Sequence, residues 1–150
     1  MIKKANAHTL IEVMIIVLIL GTLAFIAIPR MNFSILYRKQ VDTTARKIVT
    51  DMRRARLLAI TDAVNNSDGF ALQRIGSTFE IKDLSDSSTV LNSTFTVDSS
   101  ISCSGGTNFQ FGPLGNLKAG SDSTLTVSSE GKNFTISITS ATGSIQCTEN

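Results

Sequence analysis

From Thr9 to Pro29 the chain carries one formal charge, Glu12, in 21 residues that are otherwise uncharged and mostly apolar. Wound as a helix, that run spans about 31 Å, the thickness of a bilayer hydrocarbon core. Beyond Arg30 the pattern changes. Val41, Ala45, Ile48, Met52, Ala55 and Ala59 recur at spacings of four and three, which draws one apolar stripe along a helix. Polar residues fill the other face, and Asp42 and Arg46 form an i,i+4 pair there. The stripe stops at Asn65-Asn66-Ser67-Asp68-Gly69, a turn cluster with glycine as the cap. These patterns predict one long rod from about His8 to Val64, its first half in a membrane and its second half packed on a soluble head.

The remaining chain alternates with period two. Phe70–Ile75 and Thr78–Leu84 flank Gly76-Ser77, a hairpin signal. A turn at 83–88 precedes a strand expected over Thr89–Val97. Thr124–Val127 and Phe134–Ile138 flank the turn residues 130–133, and Ser144–Cys147 is the last expected strand. Large apolar residues are few in this head of about 85 residues, so its core leans on the helix for burial. The expected class is α+β, with a long N-terminal helix packed on a small antiparallel β head.

A carboxylate inside a membrane segment is costly and usually has a task. A secretory signal peptide would have an apolar region of about 7–15 residues and a small-x-small cleavage site. This run is longer, and it ends Ala27-Ile28-Pro29-Arg30. Lys3 and Lys4 ahead of it place that end in the cytoplasm and the rest of the chain outside, so the expected location is the bacterial inner membrane, single-pass, with a periplasmic head.

Ala7-His8-Thr9-Leu10-Ile11-Glu12 resembles the class III leader of type IV pilins and type II secretion pseudopilins. In that family a prepilin peptidase removes a short basic leader after a small residue, and the new N-terminus is methylated. The resemblance implies a cut between Ala7 and His8, N-methylation of His8, and Glu12 at the family's glutamate position. Gly21 and Pro29 keep the same register, and the resemblance makes them points where the helix can unwind. The family usually has Gly and Phe where this chain has Ala7 and His8. The implied organisation is a leader at 1–7, a transmembrane helix at 8–29, an amphipathic stem at 30–64 and a β head at 65–150. Phe109-Gln110-Phe111-Gly112-Pro113-Leu114-Gly115, Gly143-Ser144-Ile145-Gln146 and the helix end Ala55–Ile60 are similar to the GspH/FimT subgroup of minor pilins and pseudopilins. The partners implied are other pilins or pseudopilins in a filament, the peptidase and the inner membrane. In such a filament a neighbour's His8 amine pairs with Glu12, at about 4 kcal/mol for a 4 Å separation and an effective dielectric near 20.

Cys103 and Cys147 are the only cysteines. In an oxidising compartment they are expected to pair, with about 4 kcal/mol from loop-closure entropy; two separate thiols are the alternative. Charge is split along the chain. Arg38 to Arg56 holds seven basic and two acidic residues, whereas Leu57 onward holds four basic and nine acidic. The acidic head lacks the clustered Lys and Arg that nucleic acid requires, which argues against that partner. His8 is the only histidine, so the head has no His-based triad, and one His with two Cys makes no zinc site. No enzyme activity, metal or cofactor is implied. The favoured function is a filament subunit, a minor pilin or pseudopilin. A DNA-uptake pilin and a non-polymerising single-pass membrane protein are the competing readings.

Overall fold

The computed structural model describes residues 9–27, 33–90 and 92–150. The chain divides into two compact units, Met1–Phe33 and Ser34–Asn150. In the first, helix α1 covers Leu10–Ala27. Its opening turn is closed by the amides of Glu12 and Val13, which donate to the Thr9 carbonyl at 3.0 and 3.3 Å. Every described side chain of α1 is exposed, its large apolar ones from Ile16 at 48% to Phe25 at 81%.

Two expectations are corrected by this helix. Its 18 residues rise only about 27 Å, short of the roughly 20 residues that a bilayer core requires. No described helix is long and apolar enough to cross a membrane. The expected pilin-like fold with a membrane-spanning half-helix therefore gives way to two described helices and eight antiparallel strands in two sheets. The expected single-pass location in the inner membrane, with a periplasmic head, falls for the same reason. The leader, the Ala7–His8 junction and Pro29 lie outside the described residues.

Helix α2 covers Phe33–Thr61 and belongs mostly to the second unit. The stripe read from the sequence is its buried face: Val41, Ala45, Ile48, Met52, Ala55 and Ala59 are all fully buried. On its polar side the Thr43, Thr50 and Thr61 hydroxyls donate to the carbonyls of Lys39, Arg46 and Leu57, one turn back. The helix ends in a buried clamp. Asn66 Nδ2 donates to the Gly69 carbonyl and to Asp83, and its Oδ1 accepts from the Gly69 amide, at 2.7–2.9 Å.

The strands are β1 (Phe70–Ile75), β2 (Thr78–Asp83), β3 (Phe95–Thr96), β4 (Ser102–Gly105), β5 (Asn108–Phe111), β6 (Thr124–Ser129), β7 (Lys132–Thr139) and β8 (Ser144–Glu149). One sheet has the order β3-β2-β1-β5 and the other β4-β6-β7-β8. The β1–β2 hairpin turns at Gly76-Ser77, as its sequence predicts, with Ile75 opposite Thr78. The β6–β7 turn is tighter than expected. Ser129 pairs with Lys132, so only Glu130 and Gly131 form the loop, both at positive φ (47° and 74°) as a type I′ turn needs.

The strand expected over Thr89–Val97 is reduced to β3 and an isolated bridge from Lys82 to Thr89. Buried Ser93 is the reason. Its hydroxyl donates to the Val90 carbonyl at 2.6 Å and accepts from the Ile81 amide at 3.1 Å, so a side chain replaces the ladder. One core joins the α2 stripe to Phe70, Leu72, Phe79, Ile81, Phe109 and Phe111 from the first sheet, and to Leu125, Val127, Phe134, Ile136, Ile138 and Ile145 from the second.

Candidate functional site

The sequence-predicted residues fall in different places. Glu12 stands in the first turn of α1, where a carboxylate complements the positive end of the helix dipole. Gly21 lies inside the same uninterrupted helix, and a Cβ added there would meet nothing within 4 Å. It floors a shallow notch between Val17, Leu18, Thr22, Phe25 and Ile26.

Cys103 and Cys147 are both free thiols, so the expected disulfide is corrected. Cys103 on β4 pairs with Val127 on β6, and Cys147 on β8 pairs with Ile136 on β7. Two whole strands separate the cysteines. Three inter-strand steps of about 4.8 Å exceed the roughly 7 Å that a disulfide tolerates between Cα atoms. Burial pushes both thiols up from their ordinary values, and neighbouring arginine charge opposes that shift.

Three segments far apart in the chain meet at one point. Arg56 Nε on α2 donates to the Gly115 carbonyl at 2.9 Å. Gly143, at φ +62°, backs onto the same carbonyl so closely that an added Cβ would lie 1.9 Å from the oxygen. Ile60 covers Gly115 from the helix. The carbonyl of Gly115 is thus held between a cation and a backbone that only glycine allows. Sequence reading missed the role of Arg56, because a basic residue beside an apolar stripe reads as solvated and its partner lies 59 residues on.

Several of the stem's other charges are also engaged. Arg54 donates to the Asn92 carbonyl at 3.2 Å, and Arg46 is 3.0 Å from Asp42. Lys47 pairs with Asp51 at 3.3 Å and lies 4.5 Å from the centre of the Phe95 ring. Arg53 is exposed, with no carboxylate in ion-pair range among the described residues.

Beside these groups runs a cleft of about 760 Å³. Asp42, Arg46, Val49, Thr50 and Arg53 form its α2 wall, and Ile145, Gln146, Cys147 and Thr148 of β8 form the other, with Phe134 beneath. A helix stripe at spacings of four, three, one and three faces one strand, so the cleft follows directly from the way α2 meets the second sheet. Among the described residues no group of three or more His, Cys, Asp or Glu converges as a metal site. No protein-family model, curated protein or solved structure matches this chain.

Proposed function

We propose that the chain is a structural subunit of a filament, a minor pilin or pseudopilin, that assembles through α1. One observation carries this reading: α1 is apolar on every face and exposed along its whole described length, while the second unit closes a core of its own. A helix that is hydrophobic all round belongs in an interior. Each large side chain that a neighbour covers contributes about 1.5–3 kcal/mol. Second copies of the same helix present the matching surface, and Gly21 lets one approach closely at the notch.

In this reading prepilin peptidase cuts between Ala7 and His8, His8 is methylated, and its amine pairs with Glu12 of an adjacent subunit. The pairing fixes register, because a slipped neighbour leaves a buried charge without its partner. The leader register of Ala7, Glu12, Gly21 and Pro29 supports it. Sedimentation and negative-stain microscopy of the full chain, after cleavage is verified by intact mass, test it. Filaments are expected for the parent. Glu12→Ala and Gly21→Leu should stay unassembled with the second unit's melting midpoint unchanged. A processed parent that stays monomeric, or a Glu12→Ala variant that assembles normally, overturns the proposal.

A further inference from the structure

The second sheet ends in β8, and the hydrogen bonding of that strand is open on its outer side. The Asn150 amide donates to the Asn133 carbonyl at 3.0 Å, and Thr148 and Gln146 stand opposite Thr135 and Ser137. Antiparallel pairing alternates, so residues 144, 146 and 148 bond to β7. The main-chain N–H and C=O groups of Ile145, Cys147 and Glu149 then point away from the sheet. None of them has a hydrogen-bond partner among the described residues.

The other edges are closed. On β4 the carbonyls of Cys103 and Gly105 accept from the Arg74 guanidinium. On β5 the carbonyls of Asn108 and Gln110 accept from the amides of Asp122 and Lys118 at 2.9 Å. The β3 edge is two residues long. Native sheets blunt a long free edge with lysine, proline or a bulge. Ser144-Ile145-Gln146-Cys147-Thr148-Glu149 has neither lysine nor proline, and all six residues pair with β7 in unbroken register.

The free edge borders the α2 cleft, whose walls carry two guanidinium groups, Arg46 and Arg53, against one carboxylate, Asp42. We infer that this groove docks an extended acidic peptide segment of a partner protein, which adds to β8 as a fifth strand. Main-chain bonds to Ile145, Cys147 and Glu149 hold the segment. Its alternate side chains reach toward α2, where carboxylates meet Arg53 and the outer side of Arg46. This is β-strand addition, in which backbone bonding gives affinity and alternate side chains give specificity. It is independent of the filament reading, since no residue of α1 takes part.

Cys147 lines the groove and is exposed, so it reports occupancy. In the full chain carrying Cys103→Ser it is the only thiol, and its rate of maleimide labelling is the first measurement. The probe is an acetylated, amidated octapeptide of alternating glutamate and threonine. Saturating probe should slow labelling at least fivefold, and Arg53→Glu should remove most of that protection. The lysine–threonine counterpart and a glutamate–threonine peptide N-methylated at alternate amides should not protect. Fluorescence polarisation of the labelled probe on the unsubstituted chain gives a second readout that does not depend on the cysteine replacement. Absence of binding in that assay overturns the proposal. So does equal protection by the lysine or N-methylated peptide, or stronger binding of oligo-dT, which would make the groove a nucleic-acid site.

Discussion

Helices α1 and α2 stand in the same chain and solve opposite problems. Helix α2 is apolar along one stripe, and that stripe disappears completely against the two sheets. Helix α1 is apolar on all sides, and every described side chain stays exposed. A one-sided helix can be satisfied by its own domain; a helix without a polar face needs cover from several directions. On the proposed reading the difference gives α2 a role in folding and α1 one in association. Truncation separates the two roles most sharply. Ile48→Ala in the buried stripe should cost about 2–5 kcal/mol, read as a fall in the denaturant midpoint of the second unit. Leu18→Ala in α1 should leave that midpoint within about 0.5 kcal/mol and weaken association instead. Equal destabilisation by both would break the division.

Glycine gives the next contrast. At Gly143 an added Cβ collides with the Gly115 carbonyl, and the backbone is left-handed; at Gly21 the same atom meets open space in a right-handed helix. Gly143→Ala should therefore destabilise the second unit by about 2–4 kcal/mol, because neither strain nor collision can relax cheaply. Gly21→Ala should raise the helicity of α1 by up to about 1 kcal/mol of propensity, visible by circular dichroism. If Gly143→Ala melts with the parent, the three-way contact of Arg56, Gly115 and Gly143 does not anchor that end of α2.

The two helices also differ in how well their sequence reads. All six stripe positions of α2 are buried as the spacing predicts, because helical period and burial are both local consequences of one face meeting one core. The apolar length of α1 misled, since a run of apolar residues fixes composition and leaves helix length to be set elsewhere: described α1 stops at Ala27. Strands β4 and β5 escaped notice. Ser102-Cys103-Ser104-Gly105 has no apolar alternation, and its place at the sheet edge is held by Arg74 from another sheet. The cysteine pairing failed for the same kind of reason. Sequence gives the separation of Cys103 and Cys147 along the chain, whereas strand order places β6 and β7 between them. The β8 groove was illegible too, because an open edge is defined by what other strands and loops cover. Of the candidate sites, the glycine-bearing segments around Gly115 and Gly143 were marked by the sequence, and they meet at one carbonyl of the fold.

A finer test asks whether the second unit's turns are as settled as its core. Glu130 occupies the first position of a type I′ turn at φ +47°, a conformation that asparagine or glycine adopts with less strain. Glu130→Asn should stabilise the second unit by about 0.5 kcal/mol. A calorimetric midpoint unchanged or lowered by the substitution would mean that the turn is not a source of strain.

Acid should act on the same unit through the contact between its two sheets. Asp122 precedes β6, and its Oδ2 accepts from the amides of Thr107 and Asn108, at 2.7 and 2.9 Å, where β5 begins. Those two backbone donors hold its carboxyl below the ordinary aspartate value of 3.8, and the Arg74 charge adds to them. A carboxylate with a depressed folded-state pKa stabilises fully above its unfolded value, and that contribution is lost as pH falls through the folded one. Asp122→Asn keeps an acceptor but loses the charge, so it should melt earlier than the parent at pH 7. As pH drops below about 3.8 the two melting curves should converge, because the parent's carboxylate is then being neutralised as well. The gap stays below about 1 kcal/mol, since this carboxylate is open to solvent and its charge is screened. A difference that persists undiminished at pH 2 would place the effect in shape rather than in charge.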